Sequence, residues 1–329
     1  MDLSIVVPCF NEERGLQRLH EALGAVLPEI AQSYEIILVD DGSEDGTLVR
    51  AQQLCLKDAA VHYVALSRNF GKEAALVAGL RRASGDRVAV LDADLQHPPE
   101  LLARMMDLLD SGYDQAVARR DRHGDPPARS LLSTMYYSLV GRLVDVPLRD
   151  GVGDFRMLSR RAVEAVLALP ESNRFSKGLF SWVGFPTATV PYGNVPRAAG
   201  TSRWSVGKLV NYGLDGLLSF NTRPLRAAVY AGLLISALAF GYAGYVLVDA
   251  LVNGVRVPGY TTLVTGVIGF GGVQLLLLGI VGEYLGRIYC ETKRRPLYLV
   301  KDSDGQAGAP VGEAVGEAGN NRPLAARAS

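Results

Sequence analysis

Short apolar runs recur along the first part of the chain, and stretches with helical periodicity separate them. The runs are Leu3–Val7, Glu35–Val39, Val61–Leu66 and Val88–Leu91. Between them, Glu13–Ala31 and Asp45–Leu56 have patterns typical of amphipathic helices. Alternating strands and helices predict an α/β fold with a mostly parallel sheet covered by helices. Tyr113–Ala118 is expected to form a further strand, and the charged segment Arg119–Arg129 is expected to be a loop.

Two later segments are far more apolar than the rest of the chain. Ala227–Val248 contains 22 residues and Val257–Gly282 contains 26 residues without a charge. Each is long enough to cross a hydrocarbon layer roughly 30 Å thick, which predicts transmembrane helices over about 227–249 and 260–283. A buried helical hairpin in a soluble core is the alternative interpretation.

Basic residues flank this hairpin on the outside rather than in the connecting loop. Arg223 and Arg226 precede the first segment, Arg287 and Lys293 follow the second, and the loop holds only Arg256. Lys and Arg are retained on the cytoplasmic side, so both termini and the N-terminal domain are predicted to be cytoplasmic in a multi-pass cell-membrane protein. The chain begins without the basic segment of a cleaved signal peptide.

Composition excludes some classes of partner. The 329 residues are 48% hydrophobic with a net charge of zero, and mean hydropathy is +0.13. No basic run with interleaved aromatic residues occurs, so no nucleic-acid partner is expected. The cysteines Cys9, Cys55 and Cys290 have no paired or metal-type spacing, which fits a reducing compartment.

These patterns divide the chain into four parts. Residues 1–204 form the α/β domain, and residues 205–224 are expected to form an amphipathic helix along the membrane surface. Residues 225–289 hold the two membrane helices. The remaining tail, residues 290–329, is expected to be cytoplasmic and disordered after about residue 301, because it has few large apolar residues.

Two carboxylates follow the fourth apolar run. A strand alternates its faces, so Asp92 and Asp94 project to the same side, and Pro98 and Pro99 prevent the strand from continuing. Ligands bind at the carboxyl ends of parallel strands, and hard oxygen donors suit Mg²⁺ or Mn²⁺ together with a diphosphate. A solvated acidic loop is the alternative for an isolated Asp-x-Asp.

Polar groups also follow the other three runs. Asp40 and Asp41 close the second run, where a carboxylate can accept hydrogen bonds from a uracil imide or a ribose hydroxyl; a turn with a helix cap is the simpler explanation. Pro8 and Glu12 follow the first run and are expected to help hold a nucleoside. Lys72 follows the third run and offers a cation to a diphosphate, although a surface loop is the alternative.

Together, Ser4–Glu13, Asp40–Ser43 and Asp92–Gln96 resemble motifs of the family-2 glycosyltransferases, which implies a GT-A fold. Further segments resemble a narrower group, the polyprenyl-phosphate glycosyltransferases, which includes dolichol-phosphate mannose synthases and bactoprenol glucosyltransferases. The resemblance covers about residues 1–300 in order, and two C-terminal membrane helices suit the bactoprenol branch. The segments that carry the narrower resemblance are Asn69–Lys72, Asn173–Gly178 and Gly282–Tyr289.

The resemblance implies roles for individual residues. The metal is expected on Asp92, Asp94 and Gln96, and the nucleoside on Pro8, Glu12 and either Asp40 or Asp41. The pattern Arg129-x-x-x-Ser133 matches the place where the family holds the lipid phosphate. Arg119 or Arg120 is expected as a second cation, and the crowding with Arg122 leaves the choice open. The implied catalytic set is Asp94, Asp92 and Arg129.

Two further features stand beside this set. Arg197, Ser202 and Arg203 lie in a glycine- and hydroxyl-containing segment that is expected to contact phosphate and to close over the nucleotide, a solvated loop being the alternative. His97 stands where a family member often has Asp. It is interpreted as a spectator, because three oxygen ligands already precede it.

The implied reaction is inverting transfer of a sugar from a UDP-sugar to undecaprenyl phosphate, which makes a lipid-linked donor for cell-envelope glycans. Glucose is the expected sugar only because the resembling branch uses it. A lipid monophosphate has a second pKa near about 6, so the nucleophile is already an anion.

Two alternatives remain, a processive polysaccharide synthase and a non-catalytic membrane scaffold. The first is disfavoured because Gly200 replaces the Gln of a Gln-x-x-Arg-Trp pattern and only two membrane helices are available. The second is disfavoured because both carboxylates are present. Ala227–Ala243 is rich in small residues that allow close packing with copies of itself, so a homo-oligomer is one expectation.

Overall fold

The computed structural model of the chain describes residues 1–120, 152–169, 171, 174, 176–193 and 259–304, with scattered positions between 230 and 253. Within these residues, eight strands form one sheet flanked by helices. The strands are β1 (Leu3–Cys9), β2 (Tyr34–Asp40), β3 (Val61–Leu66), β4 (Arg87–Val90), β5 (Gln115–Arg120), β6 (Val152–Ser159), β7 (Thr187–Tyr192) and β8 (Val300–Ser303). The helices are α1 (Glu13–Ile30), α2 (Thr47–Lys57), α3 (Lys72–Arg82), α4 (Leu101–Asp110), α5 (Arg160–Leu167), α6 (Ser176–Trp182) and α7 (Tyr260–Thr292).

The strand order is β7-β5-β6-β4-β1-β2-β3-β8. The four strands β3, β2, β1 and β4 are mutually parallel and lie side by side, which confirms the predicted α/β fold. On one side, β6 runs antiparallel to β4 and to β5, while β7 runs parallel to β5. On the other side, β8 runs antiparallel to β3.

Alternating residues of the central strands pack into two separate hydrophobic layers. Ile5 and Val7 of β1 pack in the layer with α1, α2 and α4, whereas Val6 packs in the layer with α3 and α5. Gly79 allows α3 to lie close to the sheet, because a Cβ at this position would come within 2.2 Å of Val6 Cγ1. The sheet is therefore buried on both faces, which leaves its carboxyl edge as the place for ligands.

The structure extends the fifth strand beyond its predicted end. Arg119 and Arg120 belong to β5, and Arg119 pairs with Val152 of β6 and Pro191 of β7. The predicted loop therefore begins too early. Charged side chains indicated exposure, but the backbone between two neighbouring strands finds partners on both sides, and this keeps the segment extended.

The C-terminal segment also differs from its prediction. The tail was expected to be disordered from about residue 301, yet Val300–Ser303 forms the edge strand β8. Its backbone pairs with β3, and Asp302 accepts a hydrogen bond from the Tyr63 hydroxyl at 2.9 Å. Asp304 accepts one from the Tyr63 backbone N–H at 2.8 Å. Local composition gave no sign of this, because the stabilising partner lies more than two hundred residues earlier. Residues 305–329 lie outside the described residues.

Helix α7 contains the predicted second membrane segment and continues to Thr292. Among the described residues, one helical stretch is long and apolar enough to cross a membrane, the 24 residues Gly269–Thr292, and none of it is buried inside the protein. The first predicted segment is described only at scattered positions between 230 and 253, and these are helical. The predicted amphipathic helix at 205–224 lies outside the described residues.

Candidate active site

The carboxyl ends of the parallel strands bring the polar segments together. Cys9 of β1 is paired with Asp40 of β2, and the Asp41 backbone N–H donates to the Cys9 carbonyl at 2.9 Å. On the other side of β1, the Leu91 backbone N–H donates to the Val6 carbonyl at 3.0 Å. Asp41 and Asp92 therefore follow strands that end on either side of β1, and both strands are among those whose ends the sequence predicted to carry ligand-binding groups.

Asp41 holds the loop that follows β3. Its two carboxylate oxygens accept hydrogen bonds from the backbone N–H groups of Phe70 at 2.8 Å and Gly71 at 2.9 Å. Burial raises the pKa of Asp41, and these two hydrogen bonds offset only part of that effect. Gly42 permits the close approach, since it has a φ of +66° and a Cβ there would lie 2.4 Å from the Arg68 carbonyl carbon. The Ser67–Lys72 loop is thus held against β2.

Lys72 lies between two carboxylates. Its Nζ atom is 2.5 Å from Asp92 Oδ1 and 2.6 Å from Asp154 Oδ2. Burial alone lowers the pKa of Lys72, but the two carboxylates more than reverse this, so its pKa lies above the usual value. The side chain therefore carries a positive charge at neutral pH. Asp154, near the start of β6, joins the site from a segment about sixty residues after Asp92.

The turn after Asp92 is sharp. Leu95 adopts a φ of +55°, a left-handed conformation that is uncommon for a residue with a Cβ, and the Gln96 backbone N–H donates to Asp94 Oδ1 at 3.1 Å. Asp94 and Gln96 thus follow Asp92 within one turn, as expected. Within the described residues, no group of three or more His, Cys, Asp or Glu side chains forms a metal site. The three oxygen donors expected from the sequence, Asp92, Asp94 and Gln96, include only two acids.

The loop after β1 is tied to the loop after β2. The Asn11 backbone N–H donates to Ser43 Oγ at 2.9 Å, and the Glu12 backbone N–H donates to Thr47 Oγ1 at 2.8 Å. Asp40 is buried and its carboxylate accepts a hydrogen bond from the Ser43 backbone N–H at 3.3 Å. Pro8 pairs with Val39 just below them in the sheet. Pro8, Glu12 and Asp40 are therefore neighbours at one edge, where the sequence predicted a nucleoside.

His97, interpreted from the sequence as a spectator of the metal site, has specific partners in the structure. Its Nδ1 atom is 2.7 Å from the Tyr192 hydroxyl, and its ring lies 5.2 Å from the Phe155 ring, measured between centroids. Burial lowers the pKa of His97, although Asp92 and Asp94 oppose that shift. A polar histidine next to an acidic turn was visible in the sequence, but its partners Phe155 in β6 and Tyr192 at the end of β7 were not.

The predicted lipid-phosphate residues are described only in part. Arg119 is exposed near the end of β5, and Arg120 ends that strand. The other predicted phosphate contacts lie outside the described residues, so the structure does not bring them to the site or exclude them from it. These residues are Arg122, Arg129, Ser133, Arg197, Ser202 and Arg203.

Comparison with known proteins places this geometry in a family. Residues 4–167 match the family described as Glycosyl transferase family 2. The chain is 51% identical over 302 residues to "Putative glycosyltransferase CsbB" of Bacillus subtilis (strain 168), which covers 92% of each chain. It is 40% identical over 304 residues to "Bactoprenol glucosyl transferase" of Shigella phage SfII, which covers 92% of this chain and 98% of that one. This chain belongs to the family-2 glycosyltransferases.

The second part of the chain matches a narrower group. Residues 223–288 match the family described as GtrB C-terminal hairpin, the segment in which two membrane helices were predicted. Among solved structures, a glucosyl-3-phosphoglycerate synthase from Mycobacterium tuberculosis has a TM-score of 0.46 at 20% identity over 66% of this chain and 79% of that one. The two family matches and the bactoprenol relative confirm, for both parts of this glycosyltransferase, the resemblance stated from the motifs.

Proposed function

We propose that this glycosyltransferase moves glucose from UDP-glucose to a polyprenyl phosphate, undecaprenyl phosphate in the first instance, at the cytoplasmic face of the cell membrane. The observation that carries the proposal is the cluster of Lys72, Asp92 and Asp94 at the carboxyl edge of the sheet, in a chain whose residues 223–288 match the GtrB C-terminal hairpin. The relative named bactoprenol glucosyl transferase, matched over 98% of its length, supports this acceptor and this sugar.

The donor would lie across the ends of β1, β2 and β3. Pro8, Glu12 and Asp40 would contact the nucleoside, because they meet at one edge and offer carboxylate acceptors for imide and hydroxyl groups. Lys72 would bind the diphosphate, since its ammonium contacts Asp92 at the start of the acidic turn. Asp41 would act through the Ser67–Lys72 loop, because both of its oxygens are already bonded to that backbone.

Asp92, Asp94 and Gln96 fit a hard divalent cation, because all three offer oxygen donors within one turn. Mg²⁺ is commonly bound by one or two carboxylates together with substrate phosphates, which matches a protein site that offers only two acids. Bound there, Mg²⁺ or Mn²⁺ would neutralise charge on the departing diphosphate. Metal and donor are therefore expected to bind together.

The chemistry needs no general base. An oxygen of the lipid phosphate, already deprotonated at neutral pH, attacks the anomeric carbon while the bond from that carbon to the β-phosphate oxygen breaks. The electron pair leaves with UDP, and attack from the opposite face inverts the configuration. Arg119, Arg120, Arg129 and Ser133 would hold the acceptor phosphate, with Arg197, Ser202 and Arg203 closing over the donor. The arginines in this set would offset the repulsion between the two anionic substrates.

The hairpin would bring the acceptor to this edge. Both termini and the α/β domain would be cytoplasmic, because the flanking cations lie outside the hairpin. The apolar chain of a polyprenyl phosphate would then remain in the bilayer while its phosphate reaches the sheet edge. Self-association through the small residues of the first membrane segment would be compatible with this arrangement.

The test uses purified full-length protein in detergent with undecaprenyl phosphate, a divalent metal and a panel of radiolabelled UDP-sugars. We expect label in the lipid extract with UDP-glucose, dependent on the lipid phosphate, and one hexose per lipid by mass spectrometry. Transfer from another UDP-sugar in place of UDP-glucose would contradict the donor assignment. A polymeric product would favour a processive synthase, and no transfer together with no UDP-dependent thermal shift would favour a scaffold.

A further inference from the structure

Asp92 and Asp154 share one cation although they lie about sixty residues apart in the chain. Asp92 follows β4 and Asp154 belongs to β6, and these two strands are antiparallel neighbours in the sheet. Lys72 Nζ lies 2.5 Å from Asp92 Oδ1 and 2.6 Å from Asp154 Oδ2, so the two carboxylate oxygens are at most about 5 Å apart. Two like charges at this distance repel each other, and the ammonium between them offsets the repulsion. A cation of the protein itself therefore balances part of the negative charge of the ligand-free site.

Donor binding creates a competition for the same groups. A metal on Asp92 would lie next to the Lys72 ammonium, and repulsion between the two cations would weaken metal binding while the lysine remains in place. A diphosphate, in contrast, offers new anionic oxygens to the lysine. Lys72 is able to move, because its side chain is 46% exposed and it is the first residue of α3, directly after Gly71 with a φ of +99°.

We propose that Lys72 is an exchangeable cation, which holds the Asp92–Asp154 pair in the free protein and transfers to the donor diphosphate when the metal binds. Asp154 is then a positioning residue that keeps Lys72 at the site between turnovers. The inference rests on the proposed function, in that the ligand is a metal-bound nucleoside diphosphate. It also predicts how the metal and the nucleotide affect each other's binding. Without a nucleotide, the metal displaces the Lys72 ammonium from its carboxylate partners; with a nucleotide, the displaced ammonium binds the diphosphate. Metal and nucleotide are thus positively coupled.

The first experiment measures Mn²⁺ binding to full-length protein in detergent by electron paramagnetic resonance, without acceptor lipid, in the absence and presence of UDP. In the absence of UDP, Lys72→Met is expected to bind Mn²⁺ more tightly than the wild type. The gain should be about tenfold or more, because one adjacent opposite charge commonly changes the proton affinity of a carboxylate by one to three powers of ten. UDP should then tighten Mn²⁺ binding less in the variant than in the wild type.

Lys57→Met is the matched control, because Lys57 is an exposed lysine at the end of α2 and its loss changes net charge equally. It should bind Mn²⁺ as the wild type does. Equal or weaker Mn²⁺ binding by Lys72→Met without UDP overturns the proposal, as does the absence of Mn²⁺ binding in both proteins. The readout contains no acceptor, so wild-type protein that shows the exchange but transfers no glucose would refute only the proposed function.

Asp154 is tested through UDP affinity without metal, measured by calorimetry. Asp154→Asn removes one of the two ion pairs that Lys72 must leave, so UDP should bind about two- to fivefold more tightly, the range that one partly exposed ion pair supplies. Asp154→Glu should retain wild-type affinity. A merely structural role predicts weaker binding in both variants, and unchanged or weaker UDP binding by Asp154→Asn overturns the positioning role.

Discussion

The carboxylate of Asp41 accepts a hydrogen bond from the backbone N–H of Gly71 at 2.9 Å, and this contact joins the end of the second strand to the loop that follows the third. Lys72 directly follows Gly71 in the chain. Asp41, at the end of β2, therefore helps to determine the position of the Lys72 ammonium, which follows β3. Asp41, one of the two acids for which the sequence predicted nucleoside binding, therefore binds the backbone of a loop of the protein itself. Its replacement is expected to affect donor binding through the loop.

Asp41→Asn should weaken donor binding. An amide can accept only one of the two N–H bonds and presents its own N–H group to the other, and leaving a buried donor unpaired costs about 1–3 kcal/mol. We expect a lower melting temperature and a KM for UDP-glucose raised about tenfold, measured by steady-state transfer. Asp107→Asn, an exposed position on α4, is the control. An unchanged KM would show that the loop is held by other contacts.

Asp94→Asn should abolish transfer without unfolding the protein. The substitution keeps the size of the side chain and the turn, but removes a negative charge from the metal site, so the transfer rate should fall by at least about a hundredfold. Radiolabel transfer and thermal unfolding, measured on the same preparation, separate the two effects. Asp86→Asn, exposed just before β4, should remain active. Full activity of Asp94→Asn after metal removal would refute the metal assignment.

His97 and Tyr192 should behave as one unit. Phenylalanine at either position retains ring packing but removes the 2.7 Å hydrogen bond that links the acidic turn to β7. Each single variant should lower kcat/KM by an amount equivalent to about 0.5–1.5 kcal/mol. The double variant should lose little more than either single variant, because both remove the same bond. Strict additivity in this double-mutant cycle would mean that the bond does not contribute to activity.

Glu35 should stabilise the fold in a pH-dependent way. Burial raises the pKa of this carboxylate, but hydrogen bonds from Ser4 and Ser84 outweigh that and hold its pKa below the usual value. A depressed folded-state pKa adds stability that is present above the unfolded value, about 4.3, and is lost as pH falls through the folded value. Glu35→Gln should therefore lower the free energy of unfolding by about 1–3 kcal/mol at pH 7.

The difference between Glu35→Gln and the wild type should narrow below about pH 4, since protonation of Glu35 removes the same charge that the substitution removes. Thermal unfolding of the full-length protein between about pH 2 and pH 7 gives the comparison, because the lowered folded-state pKa of Glu35 must lie inside the range. Glu29→Gln at the exposed end of α1 should show no such dependence. A stability difference that is constant across this pH range would contradict the ionised state of Glu35 in the folded protein.

Much of the fold, and the grouping of polar residues at the strand ends, could be predicted from local patterns. Short apolar runs of strand length separated by helical patterns are sufficient to predict buried parallel strands, because a strand covered on both faces has no polar side. The position of Asp92 and Asp94 followed from the same rule, since ligands gather where such strands end. Charge-free segments of membrane length likewise marked the hairpin.

Other features depended on pairing between distant segments, which no local pattern reports. Asp154 reaches Lys72 beside Asp92 because β6 pairs with β4, and β8 is ordered because β3 offers it a free edge. His97 gained a partner in the same way, from Tyr192 at the end of β7. The sequence by itself thus determined the elements and the acids that end them, through side-chain burial along each run. Only the tertiary structure decided which charges meet, because strand register brings together residues far apart in the chain.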